Sequence, residues 1–192
     1  MHKLTIFNLG NADSSRLDLA NGQKLLFDYA ATHDPNAKDD RRCDLPQLLR
    51  DDLGSRKNYD VVGFTHLDDD HICGATEFFR LEHDAKYRGA DRITIDDLWV
   101  PAAAIIERSA DLKPSAQIIQ KEAQYRLKQG YGIRVFSRPA RLESWLKQNG
   151  LTLASRAHLI TDAGQLVPGF SLVFGAKPFR KPKTMSHPIG VS

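Results

Sequence analysis

The sequence predicts an α+β fold in one domain, and three observations lead to it. Short β-branched runs alternate with amphipathic helical stretches along the first hundred residues. Of the 192 residues, 41% are hydrophobic and 27% charged, which is typical of a soluble globular protein with a sizeable core. No internal repeat or linker is visible, so we place one domain over residues 1–175 and an irregular basic tail over residues 176–192.

The N-terminal elements are predicted to be three strands. KLTIFNLG (residues 3–10) alternates apolar and polar residues and ends at a glycine. A hairpin follows, in which Asn21-Gly22 is the turn between strands at 16–19 and 24–28. Asp28 stands at the exit of the second hairpin strand.

Helices and strands then alternate. A short helix is predicted between an N-cap at Asp44 and a stop at Gly54, with a proline in its first turn. YDVVGFTH (59–66) predicts a buried strand, and GATEFFRLEHDAK (74–86) a helix. The next strand is predicted at 97–100.

The C-terminal half contains the strongest helix prediction of the chain. SAQIIQKEAQYRLKQ (115–129) is rich in helix formers and is stopped by Gly130. A second helix is predicted at 141–148, and a short strand, SLVFG, at 171–175.

Charge, cysteine content and hydropathy restrict the location and the partners. The formal net charge of +3 by itself predicts neither a nucleic-acid nor a membrane partner. Two cysteines, Cys43 and Cys73, are typical of free thiols in a reducing compartment. MHKLTIFNLGNADSS lacks the apolar segment of a signal peptide, and no run approaches the roughly 18 apolar residues that span a bilayer. We therefore expect a cytoplasmic protein with no membrane partner.

Acidic residues and histidines are concentrated directly after the strand predicted at 59–66. Because side chains alternate along an extended chain, His66, Asp68 and Asp70 can converge, with His71 entering from the following turn. This mixed nitrogen and oxygen ligand set suits zinc, manganese or iron better than calcium. Two metal ions could divide these ligands and cleave a phosphate ester with a metal-activated hydroxide.

These residues resemble the metallo-β-lactamase-fold hydrolases. The family motif His-x-His-x-Asp-His, between a strand and a helix, matches THLDDDH (65–71) with Asp68 in place of the second histidine. The form His-x-Asp-x-Asp-His is most similar to the branch that contains the hydrolase domain of the ComEC/Rec2 DNA-uptake proteins. The opening hairpin resembles that branch too, with Asp28 closing its second strand, while Gly74-Ala75 stands where the family usually has two glycines.

The resemblance implies a fold, a metal centre and roles for its residues. The fold would be a four-layer αββα sandwich whose second half is short or incomplete in this chain. His66 and Asp68 would hold one divalent ion and Asp70 with His71 a second, zinc being the first choice and manganese the alternative. Asp70 would also be the catalytic residue that orients the attacking water, and Asp28 would support the ligand loop from outside the ligand set.

Further ligands and charged sites are predicted with less support from the sequence. His158, followed by Thr161-Asp162, is the best candidate for a weak additional ligand, although an ordinary strand histidine explains it as well. His187 in the tail is a poorer candidate. The loop Asp39-Asp40-Arg41-Arg42 either borders the cleft or is merely solvated, and Asp96-Asp97 either reach the site from a strand end or are structural.

We therefore expect a metal-dependent hydrolase that acts on a phosphodiester, with nucleic acid or a nucleotide as substrate. The alternative is a catalytically incomplete remnant of the same fold, acting as a binding or interaction module. Such a remnant would pair as a homodimer or with a partner chain that completes its site. A third interpretation is a nucleic-acid-binding protein that uses the basic tail.

Overall fold

One sheet of seven strands organises the computed structural model, which describes residues 1–137 and 140–162. The strands are β1 (Lys3–Ile6), β2 (Ser15–Asp18), β3 (Lys24–Phe27), β4 (Asn58–Gly63), β5 (Thr94–Pro101), β6 (Ile133–Phe136) and β7 (Ile160–Thr161). They lie side by side in chain order. The first three strands pair antiparallel, and from β3 to β7 each strand is parallel to the next.

Seven α-helices accompany the sheet within the same residues. They are α1 (Leu45–Leu53), α2 (Asp69–Ile72), α3 (Ala75–Phe78), α4 (Ala103–Ile106), α5 (Pro114–Gln129), α6 (Ala140–Gln148) and α7 (Leu153–Arg156). The Asp44 side chain caps α1 by accepting a hydrogen bond from the Gln47 backbone N–H at 3.1 Å. Gly130 ends α5 in the left-handed conformation, with φ of 89°. No helix among the described residues is long and apolar enough to cross a membrane.

The longer helices cover a single face of the sheet. Leu26, Val62, Leu98 and Ile133 are neighbours across four strands and therefore share that face. They join one buried apolar cluster with residues of α1 (Leu45, Leu49, Leu53), α5 (Ile119, Ala123, Leu127) and α6 (Leu142, Leu146). Each crossover from β3 to β7 leads to the next strand on the same side, and such connections are right-handed. Their helices are therefore expected on the same face of the sheet.

Aromatic residues mark the other face of the sheet. The ring centroids of Phe27 and Trp99 are 6.2 Å apart, and those of Trp99 and Phe136 are 5.4 Å apart. Gly63 lies between the first two in the register. A Cβ at Gly63 would approach the Phe27 ring to 2.8 Å, so the close approach of that ring requires glycine here.

The predicted class of mixed helices and strands is confirmed, as are the N-terminal hairpin, α1, α5 and α6. The described strands form one sheet and so account for one of the two sheets that the resemblance implies. Residues 1–162 form one compact unit, whereas SLVFG, His187 and the domain boundary after residue 175 lie outside the described residues.

One local prediction is wrong, and the bounds of another differ from those observed. In place of the helix predicted at 74–86 the chain forms α3 and a 3-10 helix at Ala85–Tyr87, because fully buried Phe79 leaves α3 and pairs with Ile93 beside the sheet. The strand predicted at 97–100 begins earlier, at Thr94, and it includes Pro101. Asp96 and Asp97 consequently lie in the first half of β5, away from its carboxyl end.

Candidate metal centre

The carboxyl end of β4 carries the acidic-histidine cluster. The Phe64 backbone N–H still donates to Trp99 of β5 at 2.9 Å, and the chain leaves the sheet at Thr65. Residues 69–72 then form the single turn α2, which presents Asp70 and His71 beside His66. Because parallel strands end at one edge of a sheet, this edge is where a site built from their following loops is expected.

Three side chains of this loop can meet at one point. His66, Asp70 and His71 each offer a ligand atom, and these atoms all lie within 4.8 Å of one another. The two imidazole centroids are 3.6 Å apart, and the Nε2 of His71 is 3.4 Å from a carboxylate oxygen of Asp70. Two imidazoles and one carboxylate are a ligand set that suits zinc.

Asp28 orients His71 from the end of β3. Its Oδ2 lies 2.9 Å from the Nδ1 of His71, and both residues are buried. An ionised carboxylate only accepts hydrogen bonds, so the proton of this pair lies on Nδ1 and the lone pair of Nε2 is left toward Asp70. This is the arrangement in which an imidazole binds a metal with its tautomer fixed by a carboxylate.

Thr65 connects Asp28 to both histidines. Its backbone N–H and its hydroxyl donate to the two carboxylate oxygens of Asp28, at 2.7 and 2.8 Å. The Thr65 Oγ1 lies 3.2 Å from the Nδ1 of His66 and 3.3 Å from that of His71. Since the hydroxyl proton goes to Asp28, this oxygen accepts from His66 and leaves the Nε2 of that ring for a ligand as well.

The backbone of Asp28 is in an uncommon conformation. Its φ of 56° lies in the left-handed region, which non-glycine residues enter at a cost. Two hydrogen bonds hold it there: its N–H donates to Gly63 at 2.8 Å, and its carbonyl accepts from the Ser14 hydroxyl at 2.9 Å. Strain that the surroundings maintain in this way is typical of functional sites.

The other two aspartates of the loop lie differently. Asp68 is 80% exposed, and its carboxylate lies 3.5 Å from the Nε2 of His66, so it stands at the edge of the three-donor group. Asp69 pairs with Lys113, and its other oxygen lies 3.4 Å from the Ser115 hydroxyl, which ties the loop to the start of α5. The hydrogen bond and the charge of Asp69 raise the pKa of Lys113.

His158 is not brought to this group, which corrects its candidacy as a further ligand. It precedes β7 and therefore lies at the amino end of the parallel strands, where its Nε2 is 3.2 Å from the carbonyl oxygen of Gly130. Asp162 follows β7 at the carboxyl edge, three strands away from β4. At about 4.8 Å per strand, that separation is too large for a shared ion.

A cleft opens beside the three-donor group. It has a volume of about 420 Å³, and its lining includes Asp69, Asp70, Cys73, Gly10 and Arg42. Burial raises the pKa of the Cys73 thiol, so this residue is not an activated nucleophile at neutral pH.

Two contributors to the site were not recognised from the sequence. Thr65 could have been suspected from its place directly before His66, because a hydroxyl can donate to a carboxylate and accept from an imidazole at the same time. Arg42 was considered only as part of a mixed-charge loop. Its side chain lies beside Gly10, which is far away in sequence.

Comparisons with known proteins find no match in sequence and a distant likeness in structure. No family model matches the sequence, and no curated protein matches it. Among solved structures, a "hydrolase AbOPH in beta lactamase superfamily" is similar, with 15% identity and a TM-score of 0.36 over 65% of this chain. The chain spans 42% of the length of that hydrolase. A likeness this distant carries no argument about activity.

Proposed function

We propose that this protein is a metal-dependent hydrolase whose metal ligands are His66, Asp70 and His71. The observation that carries the proposal is the convergence of their ligand atoms within 4.8 Å, next to a buried aspartate that fixes the tautomer of His71. Clusters of this kind perform hydrolysis when the bound ion activates water and polarises the substrate. Asp68 is proposed to join the ligand set by turning toward His66.

The residues themselves supply the remaining functions of such a site. Asp28 holds the proton on the Nδ1 of His71, and Thr65 does the same for His66. The carboxylate of Asp70, which is half exposed, lines the cleft and is placed to accept a proton from a water that enters there. The proposed ion is zinc, with manganese as the alternative, and a second ion remains part of the proposal.

A phosphodiester, in nucleic acid or a nucleotide, is the proposed substrate. Two features support this choice. The loop THLDDDH is most similar to a hydrolase branch connected with nucleic acid, and the cleft beside Asp70 contains an arginine, which suits a phosphate group.

Metal content and hydrolysis test the proposal together. We expect protein purified without added metal to contain zinc by elemental analysis and to cleave the chromogenic diester bis(4-nitrophenyl) phosphate. His66→Ala and Asp70→Ala should bind zinc at least about tenfold more weakly and lose hydrolysis, because each removes a ligand. Their circular dichroism spectra should remain those of the wild type.

His158→Ala is the matched control, since this histidine lies at the other end of the strands and should leave zinc binding and hydrolysis unchanged. Unaltered activity in His66→Ala or Asp70→Ala would rule out the proposed site.

A second candidate function is a binding module with an incomplete metal site. The observation that favours it is that all three converging donors come from residues 66–71, so that within the described residues one loop supplies the whole ligand set. In that case elemental analysis should find no metal, and light scattering should show a dimer or, with a partner, a larger complex.

A further inference from the structure

Arg42 is the one basic side chain that lines the cleft beside the candidate metal centre, as far as the described residues show. It shares this cleft with Asp70, so a molecule bound there can contact both side chains. The side chain is 38% exposed, which leaves it accessible to a ligand in the cleft.

Asp40 holds the guanidinium in place. The Nε of Arg42 donates to this carboxylate at 2.8 Å, and the Nη2 donates at 2.7 Å. The carboxylate is itself almost fully buried and also accepts from the backbone N–H groups of Asp34 and Arg42, at 2.8 and 2.9 Å. These contacts leave the Nη1 of Arg42 without a hydrogen-bond partner among the described residues.

The loop that contains Gly10 lies beside the stem of Arg42. Gly10 has a φ of 73°, and a Cβ there would stand 3.4 Å from the Cδ of Arg42. Asn8 fixes the segment on both sides: its side chain donates to the Arg41 carbonyl at 3.0 Å, and its own carbonyl accepts from the Cys43 N–H at 2.9 Å. The guanidinium is thus positioned before any ligand arrives, which lowers the entropy lost on binding.

The carboxylates in the cleft do not exclude an anion. Lys113 pairs with Asp69, and a bound ion would offset the charge of Asp70. Arg42 is balanced by Asp40, but its free Nη1 still offers directed N–H groups. A guanidinium with one edge on a carboxylate and another edge open is well suited to phosphate oxygens.

We propose that Arg42 binds a second phosphate of the substrate, next to the phosphodiester that is cleaved. The substrate class is then an oligonucleotide or nucleotide with neighbouring phosphates, and an isolated diester would be cleaved with a lower kcat/KM. This proposal rests on the proposed function, because it requires cleavage at the neighbouring metal ligands.

Two dinucleotides that differ in one phosphate test this substrate preference. We expect the wild type to cleave a 5′-phosphorylated dinucleotide with a kcat/KM at least about tenfold above that for the unphosphorylated one, the effect of one charge-assisted hydrogen bond. Arg42→Ala should lose this preference, so that its kcat/KM values for the two dinucleotides become equal.

Arg41→Ala is the matched control. It removes the same charge from the adjacent, exposed position, and the contact of Asn8 with residue 41 uses the backbone only. The preference should survive in this variant. A wild type without the preference, or an Arg42→Ala variant that keeps it, would overturn the proposal.

If neither dinucleotide is cleaved, a measurement of anion binding still tests the role of Arg42, because it requires no hydrolysis. The protein is titrated with inorganic pyrophosphate in the presence of a chelator, and the arginine Nε–H signals are followed by NMR. We expect saturable shifts in the wild type and in Arg41→Ala, and none in Arg42→Ala. Absence of binding in the wild type, or equal binding in Arg42→Ala, would show that Arg42 is not an anion site.

Discussion

Asp28 joins the sheet to the candidate ligands through a single carboxylate. It accepts hydrogen bonds from His71 and from both donors of Thr65, while its backbone is held in the left-handed region. A buried acceptor with this many donors keeps its geometry, so the ring of His71 is fixed before a metal binds.

Asp28→Asn should weaken zinc binding by about 10- to 100-fold while the fold is retained. Asparagine has the same shape and tolerates a left-handed backbone, so the change mainly removes the negative charge that holds the His71 proton. Zinc affinity is measured by competition with a chromogenic chelator, and stability by urea unfolding.

Asp28→Ala should lose stability as well, by about 1–2 kcal/mol, because alanine disfavours this φ. Zinc affinity in Asp28→Asn equal to that of the wild type would contradict the assigned role.

At this scale the sequence predicted what lies close together along the chain. The spacing of His66, Asp70 and His71 was sufficient to propose them as ligands. That Asp28 lies near these ligands was implied only by the resemblance, and whether Arg42 borders the cleft was left open. Both positions depend on contacts between segments that are distant in sequence. The exclusion of His158 required the strand direction of β7, which the sequence pattern did not reveal.

Among the elements, β4 has the closest connection to the site. Gly63 ends this strand, its carbonyl accepts the N–H of Asp28, and its α-carbon faces the ring of Phe27. The path of β4 into the ligand loop therefore depends on the close packing of the Phe27 ring against the backbone of Gly63.

Gly63→Ala should destabilise the protein by about 1–3 kcal/mol, because the added methyl would lie 2.8 Å from the Phe27 ring. Urea unfolding measures this loss, and zinc affinity should fall with it, since the hydrogen bond to Asp28 shifts. The double variant Gly63→Ala with Phe27→Leu should lose less unfolding free energy than the two single variants lose together, because the smaller side chain relieves the clash. Additive losses would show that the ring is not the cause.

The elements that the sequence missed share a physical reason. Strand β6 was not predicted, because apolar and polar residues alternate over only the four residues IRVF. The glycines at 130 and 132 were the available signal that a new element begins there. Residues 79–86 favour a helix locally, but burial of Phe79 against the sheet outweighs that preference. Such tertiary effects cannot be read from local periodicity.

Across the whole molecule, a buried charge network links helix α5 to the sheet. Glu122 is fully buried and accepts from the Nε of Arg126 at 2.6 Å and from the backbone N–H groups of Glu82 and His83. Arg126 in turn donates to the carbonyls of Ile95 in β5 and Gly132 before β6, at 3.0 and 2.8 Å. Four segments thus depend on one carboxylate.

This network predicts a loss of stability in acid. Burial alone would raise the pKa of Glu122, but the hydrogen bond from His83 and the charge of Arg126 outweigh it and lower the pKa from 4.5 to about 2. A carboxyl whose pKa is lowered by folding stabilises the protein above its unfolded pKa, here by on the order of 3 kcal/mol. That contribution is lost as the pH falls from 4.5 to about 2.

Urea unfolding of the wild type and Glu122→Gln at several pH values measures this effect. The glutamine variant should be clearly less stable at pH 7, because Arg126 is left buried without its counter-charge. The difference between the two proteins should narrow below pH 4.5. A difference that stays constant down to pH 2 would show that Glu122 does not bind protons differently in the folded and unfolded chain.

The sheet order β1 to β7 has a consequence for synthesis on the ribosome. Each strand pairs with the strand made immediately before it, so no described strand must wait for a distant later segment to find its neighbour. Pairings between consecutive strands close shorter loops than pairings between distant ones, which favours fast folding. The ligand loop after β4 can therefore begin to assemble on a partly built sheet while the helix α5 that later braces it is still being translated.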